Sequence, residues 1–313
     1  MAGALTATCS STEIDQADQL AVAGPAERAA SVPLQGKRLA FIGGGTMAEA
    51  MIRGLLDKHL VPPSHVFVTG PRRERRAELA KQFGVKALAS NADAAQGAHI
   101  VVLSVKPQVL PTVLREVRGK LRADQLVVSI VAGAPLTVLR EGLDHATIVR
   151  AMPNTPAQIG MGITAWCATA SVERDQRDRA KAILGALGEE IEVEEEGMVD
   201  MATALSGTGP TYVFLLMEAL VDAGVHLGFS RRVAEELVLR TVEGSAAFAR
   251  RSGRHLAELR NMVTSPGGTS AAAIYELEKG ALRTVLSRAV YAAFVRTREL
   301  GAEAQQKLQR TKQ

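Results

Sequence analysis

Cysteine is scarce: the 313 residues contain 2, Cys9 and Cys167. That excludes a disulfide framework and a cysteine-based metal cluster, and it fits a reducing compartment, the cytoplasm. The 6 histidines, His59, His65, His99, His145, His226 and His255, are scattered without metal-ligand spacing, so no metal site is expected. Aromatic residues make up only 4%, too few for the stacking surfaces of a nucleic-acid binder. The net charge of +4 is mild and spread along the chain, which suits a small anionic ligand better than a polyanion. Long apolar runs are also short in supply. The stretch Thr211–Leu220 meets Glu218 and then Asp222 before it reaches spanning length, so no membrane span is expected. Lysine is absent between Lys181 and Lys279, an absence that bears on the chemistry below.

What remains is a globular composition, 47% hydrophobic and 22% charged, which excludes disorder of the whole chain. At ~150 residues per domain the length points to two domains. Residues 1–35 read as a flexible N-terminal tail, rich in Ala, Ser, Thr and Gln; one arginine among several acids does not make a transit peptide. From 36 to 194, short apolar runs alternate with helical patterns. The runs Arg38–Ile42, His65–Val68, Ile100–Val105, Leu126–Val131 and Thr147–Ala151 read as strands. Continuous apolarity means burial on both faces, so the class is α/β, with a doubly wound Rossmann-type sheet. Two more short strands, Ile163–Ala168 and Glu190–Val193, bracket a helix over Glu173–Leu187. Residues 195–313 read as all-helical, with patterns at Tyr212–Leu227, Arg231–Arg250, Leu256–Met262, Ser270–Glu278 and Ala281–Leu300. Such a thin helical set is expected to bury surface against a second copy of itself, as a dimerisation domain.

The first strand runs into Ile42-Gly43-Gly44-Gly45-Thr46-Met47-Ala48 and then a helix. This is a G-x-G-x-x-A pattern. Gly43 makes the turn, Gly45 admits a pyrophosphate to the backbone, and Ala48 permits close helix–strand packing. A mononucleotide site or a plain structural turn is the alternative. The second strand ends at Thr69-Gly70-Pro71-Arg72-Arg73 without the acid that holds a ribose 2′-hydroxyl in NAD-binding units. Arginines at a helix start oppose its dipole, and a 2′-phosphate would offset that cost. Arg72 and Arg73 are the expected contacts, with Arg75 and Arg76 facing water. The cofactor expected is therefore NADPH, with NADH possible; a solvated basic helix start is the bland alternative.

Several further segments belong together: Ser104-Val105-Lys106-Pro107-Gln108, Ser129-Ile130-Val131-Ala132-Gly133, Met152-Pro153-Asn154-Thr155-Pro156, Leu205-Ser206-Gly207-Thr208-Gly209-Pro210, and Met262-Val263-Thr264-Ser265-Pro266-Gly267-Gly268-Thr269-Ser270. In order and spacing they resemble the pyrroline-5-carboxylate reductase family over residues 38–300. The resemblance implies NAD(P)H-dependent reduction of the cyclic imine 1-pyrroline-5-carboxylate to L-proline, the last step of proline biosynthesis. It also implies an interlocking homodimer, with dimers assembled into a decamer. By position, Ile42 to Met47, Thr69, Asn91, Ser104, Val105, Lys106, Pro107, Val131 and Ala132 would contact the cofactor. Glu196, Ser265, Gly267 and Gly268 would bind substrate with Thr269 and Ser270, and those two hydroxyls would serve catalysis. Ser270 stands where the family has Thr, and Met262 where some members have a cofactor-contacting Asn.

The residues carry a chemical argument of their own. Glycines ahead of a helix start create a nest of free N–H groups, and a carboxylate is the natural guest. A simple helix–helix turn capped by Thr269 or Ser270 is the alternative. Reducing a protonated C=N carbon needs mainly positioning, whereas a hydroxyacid dehydrogenase relies on a lysine early in its helical domain. None is present there, which favours the imine. Ser206–Pro210 reads as the N-cap and first turn of a helix beside the substrate pocket, His226 as a capping or surface histidine, and Cys167 as packing at a strand edge.

Overall fold

The computed structural model describes residues 33–312. The expected tail lies outside them, except that Leu34 is fully buried in the core, so the packed chain begins before residue 36. Strands β1 (Leu39–Ile42), β2 (Val66–Thr69), β4 (Ile100–Leu103), β5 (Leu126–Ser129) and β6 (Ile148–Met152) lie parallel, with the two-residue β3 (Lys86–Ala87) at one edge. Beyond β6 come β7 (Gly162–Ala168), antiparallel to it, and β8 (Gly188–Glu192), giving the order β3-β2-β1-β4-β5-β6-β7-β8. Cys167 therefore sits inside the sheet, between β6 and β8, and not at an edge.

Alternate residues of each strand feed two cores. Phe41, Val68, Val102 and Val128 pack under α1 (Thr46–Asp57), α2 (Arg73–Phe83) and α6 (Arg174–Gly185). Ile42, Phe67, Val101 and Val127 pack under α3 (Asn91–Gly97), α4 (Leu110–Val117) and α5 (Leu136–Leu143). This is the expected doubly wound sheet, three layers thick. α4 begins at Leu110. Pro111 is tolerated only in a first turn, which sets the start of the helix.

After β8 the chain is helical: α7 (Glu196–Ala202), a π-helical turn Thr203–Gly207, α8 (Gly209–His226), α9 (Arg231–Ser252), α10 (Leu256–Met262), α11 (Thr269–Lys279) and α12 (Leu282–Lys312). α12 runs past its expected end at Leu300. Gly301 is buried against Gly133 and Pro135 and does not stop the helix. α8 and α9 pair with each other, and α12 returns to α5 and α7. Apolar side chains on these helices stay uncovered within the single chain, among them Leu215 at 65% and Tyr291 at 67% exposure. By length and composition alone the helical stretch Glu196–His226, with a mean hydropathy of 1.2 over an 18-residue window, is apolar enough to cross a membrane, against the expectation that no stretch would be.

Candidate active site

The carboxyl ends of β1, β2 and β4 open onto a cleft of about 210 Å³. Its floor is Gly43, Gly44 and Gly45, flanked by Thr69 and Arg72 on one side and Ser104, Val105 and Lys106 on the other. Each glycine has its own reason. Gly43 has φ +108°, and a Cβ there would lie 2.7 Å from the Ser104 carbonyl oxygen. Gly44 packs on Leu79, where a Cβ would come within 2.8 Å of Cδ1. Gly45 faces open space and forms the N-cap of α1 with no side-chain cap, so the first amides of that helix are left for a ligand. An open glycine beside uncapped amides is what a pyrophosphate needs. Ser104 secures the turn, its Oγ donating to the Gly43 carbonyl at 2.8 Å.

The arginines divide differently from expectation. Arg72 lines the cleft, and so do Arg75 and Arg76, while exposed Arg73 is not among the lining residues. The helical turn puts positions 72, 75 and 76 on one face and 73 on another. Arg75 does not face water. Its Nε donates to the Gly44 carbonyl at 3.0 Å, and its guanidinium pairs with Glu49 and, at 3.0 Å, with Glu78. The hydrogen bond from Arg75 holds the Glu49 carboxyl below its usual range. Arg76 donates to the Gly70 carbonyl. Arg75 and Arg76 thus brace the loop, which leaves Arg72 to meet a ligand.

Other expected cofactor residues stand behind or beside the cleft. Ile42 and Val131 are buried, and Met47, Pro107 and Ala132 are half-buried. Thr46 lines a separate small depression with Glu49, Arg53 and Gln158. Asn91 accepts from Thr69 Oγ1 at 2.6 Å and donates to Glu116 Oε2 at 2.5 Å, so it supports the cleft wall.

Glu196, expected on the substrate side, is engaged by two partners within the chain. Its Oε1 accepts from Arg150 Nη1 at 2.7 Å and from the Leu136 amide at 2.6 Å. Arg150, on β6, is buried, and its other nitrogen pairs with Asp200 on α7. A buried guanidinium requires such partners, so Glu196 joins α7, β6 and the start of α5. The only sequence signal for Arg150 is that it is a lone charge inside the apolar run Thr147–Ala151.

The Ser265–Ser270 segment is a tight turn into α11. Gly267 has φ +71°, the Gly268 amide donates to the Ser265 carbonyl at 3.0 Å, and a Cβ on Gly268 would collide with Ser265 Oγ. The helix begins at Thr269 with Gly268 as N-cap, and no side chain caps it. Neither hydroxyl satisfies the helix amides, which removes the plain capping alternative. No residue of this turn lines the glycine cleft, so the single chain does not bring the two together.

Known proteins with this architecture decide the family. A family model described as pyrroline-5-carboxylate reductase dimerisation matches residues 196–300, and one described as NADP oxidoreductase, coenzyme F420-dependent, matches residues 38–133. The chain is 42% identical over 264 residues to a pyrroline-5-carboxylate reductase of Synechocystis sp., covering 84% of this chain and 98% of that protein. The chain belongs to the pyrroline-5-carboxylate reductase family. The reductase of Pseudomonas aeruginosa is 41% identical, over 85% of this chain and 97% of the relative. Among solved structures, a reductase from Coxiella burnetii superposes with a TM-score of 0.78 at 37% identity, covering 84% of this chain and 98% of that one. The Plasmodium falciparum enzyme, solved with NADP bound, also gives 0.78, at 32% identity, covering 85% of this chain and 98% of the other. As a member of this reductase family the chain is an NAD(P)H-dependent oxidoreductase acting on a small molecule, and it forms an oligomer.

Proposed function

We propose that this chain reduces 1-pyrroline-5-carboxylate to L-proline with NAD(P)H, the closing step of proline biosynthesis. One observation carries the reading: a glycine cleft and an uncapped Ser-Pro-Gly-Gly-Thr-Ser helix start occur in a chain spanning 98% of a reductase relative. When bound, NAD(P)H supplies the hydride for the C=N carbon. Gly43 to Met47 bind its pyrophosphate through loop and first-turn amides, and Arg72 binds a 2′-phosphate. Ser104, Val105 and Lys106 hold the ribose, with Pro107, Val131 and Ala132 continuing that wall.

The substrate carboxylate is held by amides and hydroxyls of Ser265, Gly267, Gly268, Thr269 and Ser270. Ser270 Oγ orients the ring nitrogen and holds the proton there, so that the electrophilic carbon faces the donor. Glu196 acts on this site only by anchoring α7.

Residues 36–194 form the cofactor domain and 195–313 the helical domain, which pairs with a second copy into a homodimer; dimers assemble into a decamer in the cytoplasm. Two observations support pairing: the uncovered side chains such as Phe214, Leu215, Leu237 and Tyr291, and the separation of the α11 turn from the cleft. The hydropathy of 196–226 follows from this use as an interface.

The test is loss of absorbance at the nicotinamide band with purified protein and racemic 1-pyrroline-5-carboxylate. Turnover is expected with NADPH. Absence of turnover with both nicotinamides overturns the proposal.

A further inference from the structure

The floor of the cleft is a run of consecutive glycines, Gly43, Gly44 and Gly45. Glycine loses more backbone freedom on ordering than any other residue, so a cradle built this way is costly to hold in one shape. Each of the three carbonyls has a partner. Gly43 accepts Ser104 Oγ at 2.8 Å, and Gly45 accepts the Glu49 amide, from the first turn of α1, at 3.0 Å. Gly44 is held from α2, where Arg75 Nε donates to its carbonyl at 3.0 Å. That carbonyl shares a rigid peptide plane with the Gly45 amide, so a grip on one orients the other.

Arg75 is aimed by its own partners. Nη2 pairs with Glu49 on α1 and Nη1 with Glu78 on α2, the latter at 3.0 Å, so all three guanidinium nitrogens are engaged. Gly44 and Glu49 flank the N-cap and first turn of α1, the uncapped stretch that a pyrophosphate would occupy. One side chain therefore grips both ends of that stretch. Leu79, one turn further along the same face of α2, packs on Gly44 as well. Arg53 offers a contrast. It pairs with the same Glu49 at 2.7 Å, yet it lines the separate depression beside Thr46 and is not among the residues lining the cleft.

We propose that Arg75 is a positioning residue for the dinucleotide: it fixes the Gly44 peptide, and so sets affinity for NADPH and NADH alike. The inference rests on the reading of this cleft as the NAD(P)H site. The two nicotinamides share a pyrophosphate, so a loosened Gly44 weakens both by the same factor. Loss of a contact to the 2′-phosphate weakens NADPH alone. The device depends on the planar fork of arginine and not on its charge. A lysine ammonium is a single point charge and cannot hold Gly44, Glu49 and Glu78 in that fixed arrangement.

The test is fluorescence titration of NADPH and of NADH into the full-length chain carrying Arg75→Lys or Arg53→Met, with kcat measured at saturating NADPH. Arg75→Lys keeps the charge and loses the fork. It is expected to raise both Kd values about three- to tenfold and in parallel, with kcat within about twofold of the parent. Arg53→Met removes the other partner of Glu49 and is expected to leave both Kd values within about twofold. Parent-like affinity in Arg75→Lys overturns the inference. So does a loss confined to NADPH, which would place the guanidinium on the 2′-phosphate, and so does an Arg53→Met variant as weakened as Arg75→Lys. A parent chain that binds neither nicotinamide overturns the reading of the cleft itself, and this inference with it.

Discussion

Arg150 Nη1 and Glu196 Oε1 meet at 2.7 Å where the sheet joins the helical region, and the same carboxylate oxygen accepts the Leu136 amide at 2.6 Å. One carboxylate thus ties β6, α5 and α7 together. Glu196→Gln keeps an acceptor but removes the charge facing a buried cation. Glu196 is itself partly solvent-exposed, which screens the loss. The substitution is expected to lower unfolding free energy by about 1–2 kcal/mol in urea titrations, while the imine KM moves less than about twofold. A large rise in imine KM with unchanged stability would return Glu196 to the substrate.

That pair also marks where the sequence stops being legible. β1, β2, β4 and β5 were readable because each is buried on both faces, and Gly43 to Ala48 were readable because a strand–turn–helix has a local signature. β3 was missed because Lys86–Ala87 is short and exposed. The partner of Glu196 lies far away in the chain, and no local period announces it. Arg72 could not be separated from Arg73 until the start of α2 set which face turns inward. The π turn left no trace in the pattern, and its Gly207 packs against Met152 from across the fold.

Gly43 and Gly45 separate backbone need from ligand need. Gly43→Ala places a Cβ 2.7 Å from the Ser104 carbonyl oxygen at φ +108°, and is expected to cost about 2–4 kcal/mol of stability. At Gly45 a Cβ meets nothing within 4 Å. Gly45→Ala is expected to unfold within about 0.5 kcal/mol of the parent. Its NADPH affinity, read by fluorescence titration, should nonetheless fall. Equal destabilisation by the two substitutions would contradict the geometry.

Arg72 lines the cleft and Arg73 does not. Arg72→Ala is expected to raise the KM for NADPH about tenfold or more through loss of a charge-assisted contact, with a much smaller change for NADH. Arg73→Ala should leave the NADPH/NADH ratio at the parent value. A ratio unchanged by Arg72→Ala would remove the 2′-phosphate assignment.

Ser270 sits in the first turn of an uncapped helix. Ser270→Ala is expected to cut kcat/KM for the imine by about 10²-fold while cofactor affinity stays near the parent value. Ser270→Thr, with the same hydroxyl on a stiffer side chain, should retain activity. Equal loss of cofactor binding in Ser270→Ala would place this residue at the wrong ligand.

His99, at the amino ends of β1 and β4, makes the stability of the sheet depend on pH. Its Nδ1 accepts the Arg38 amide at 2.9 Å, a bond that only the unprotonated nitrogen can make. Burial, reinforced by the charges of Arg38, Lys37 and Arg122, lowers its pKa below the ordinary 6.5. Below 6.5 the unfolded chain takes up this proton before the folded one does. The contribution of His99 is therefore complete above the unfolded pKa and declines as pH falls beneath it. Thermal midpoints measured from neutral pH downward should drop more steeply in the parent than in His99→Gln, whose side chain does not titrate. Identical slopes would show that the folded state protonates His99 as readily as the unfolded chain does, and that the Arg38 bond does not restrain it.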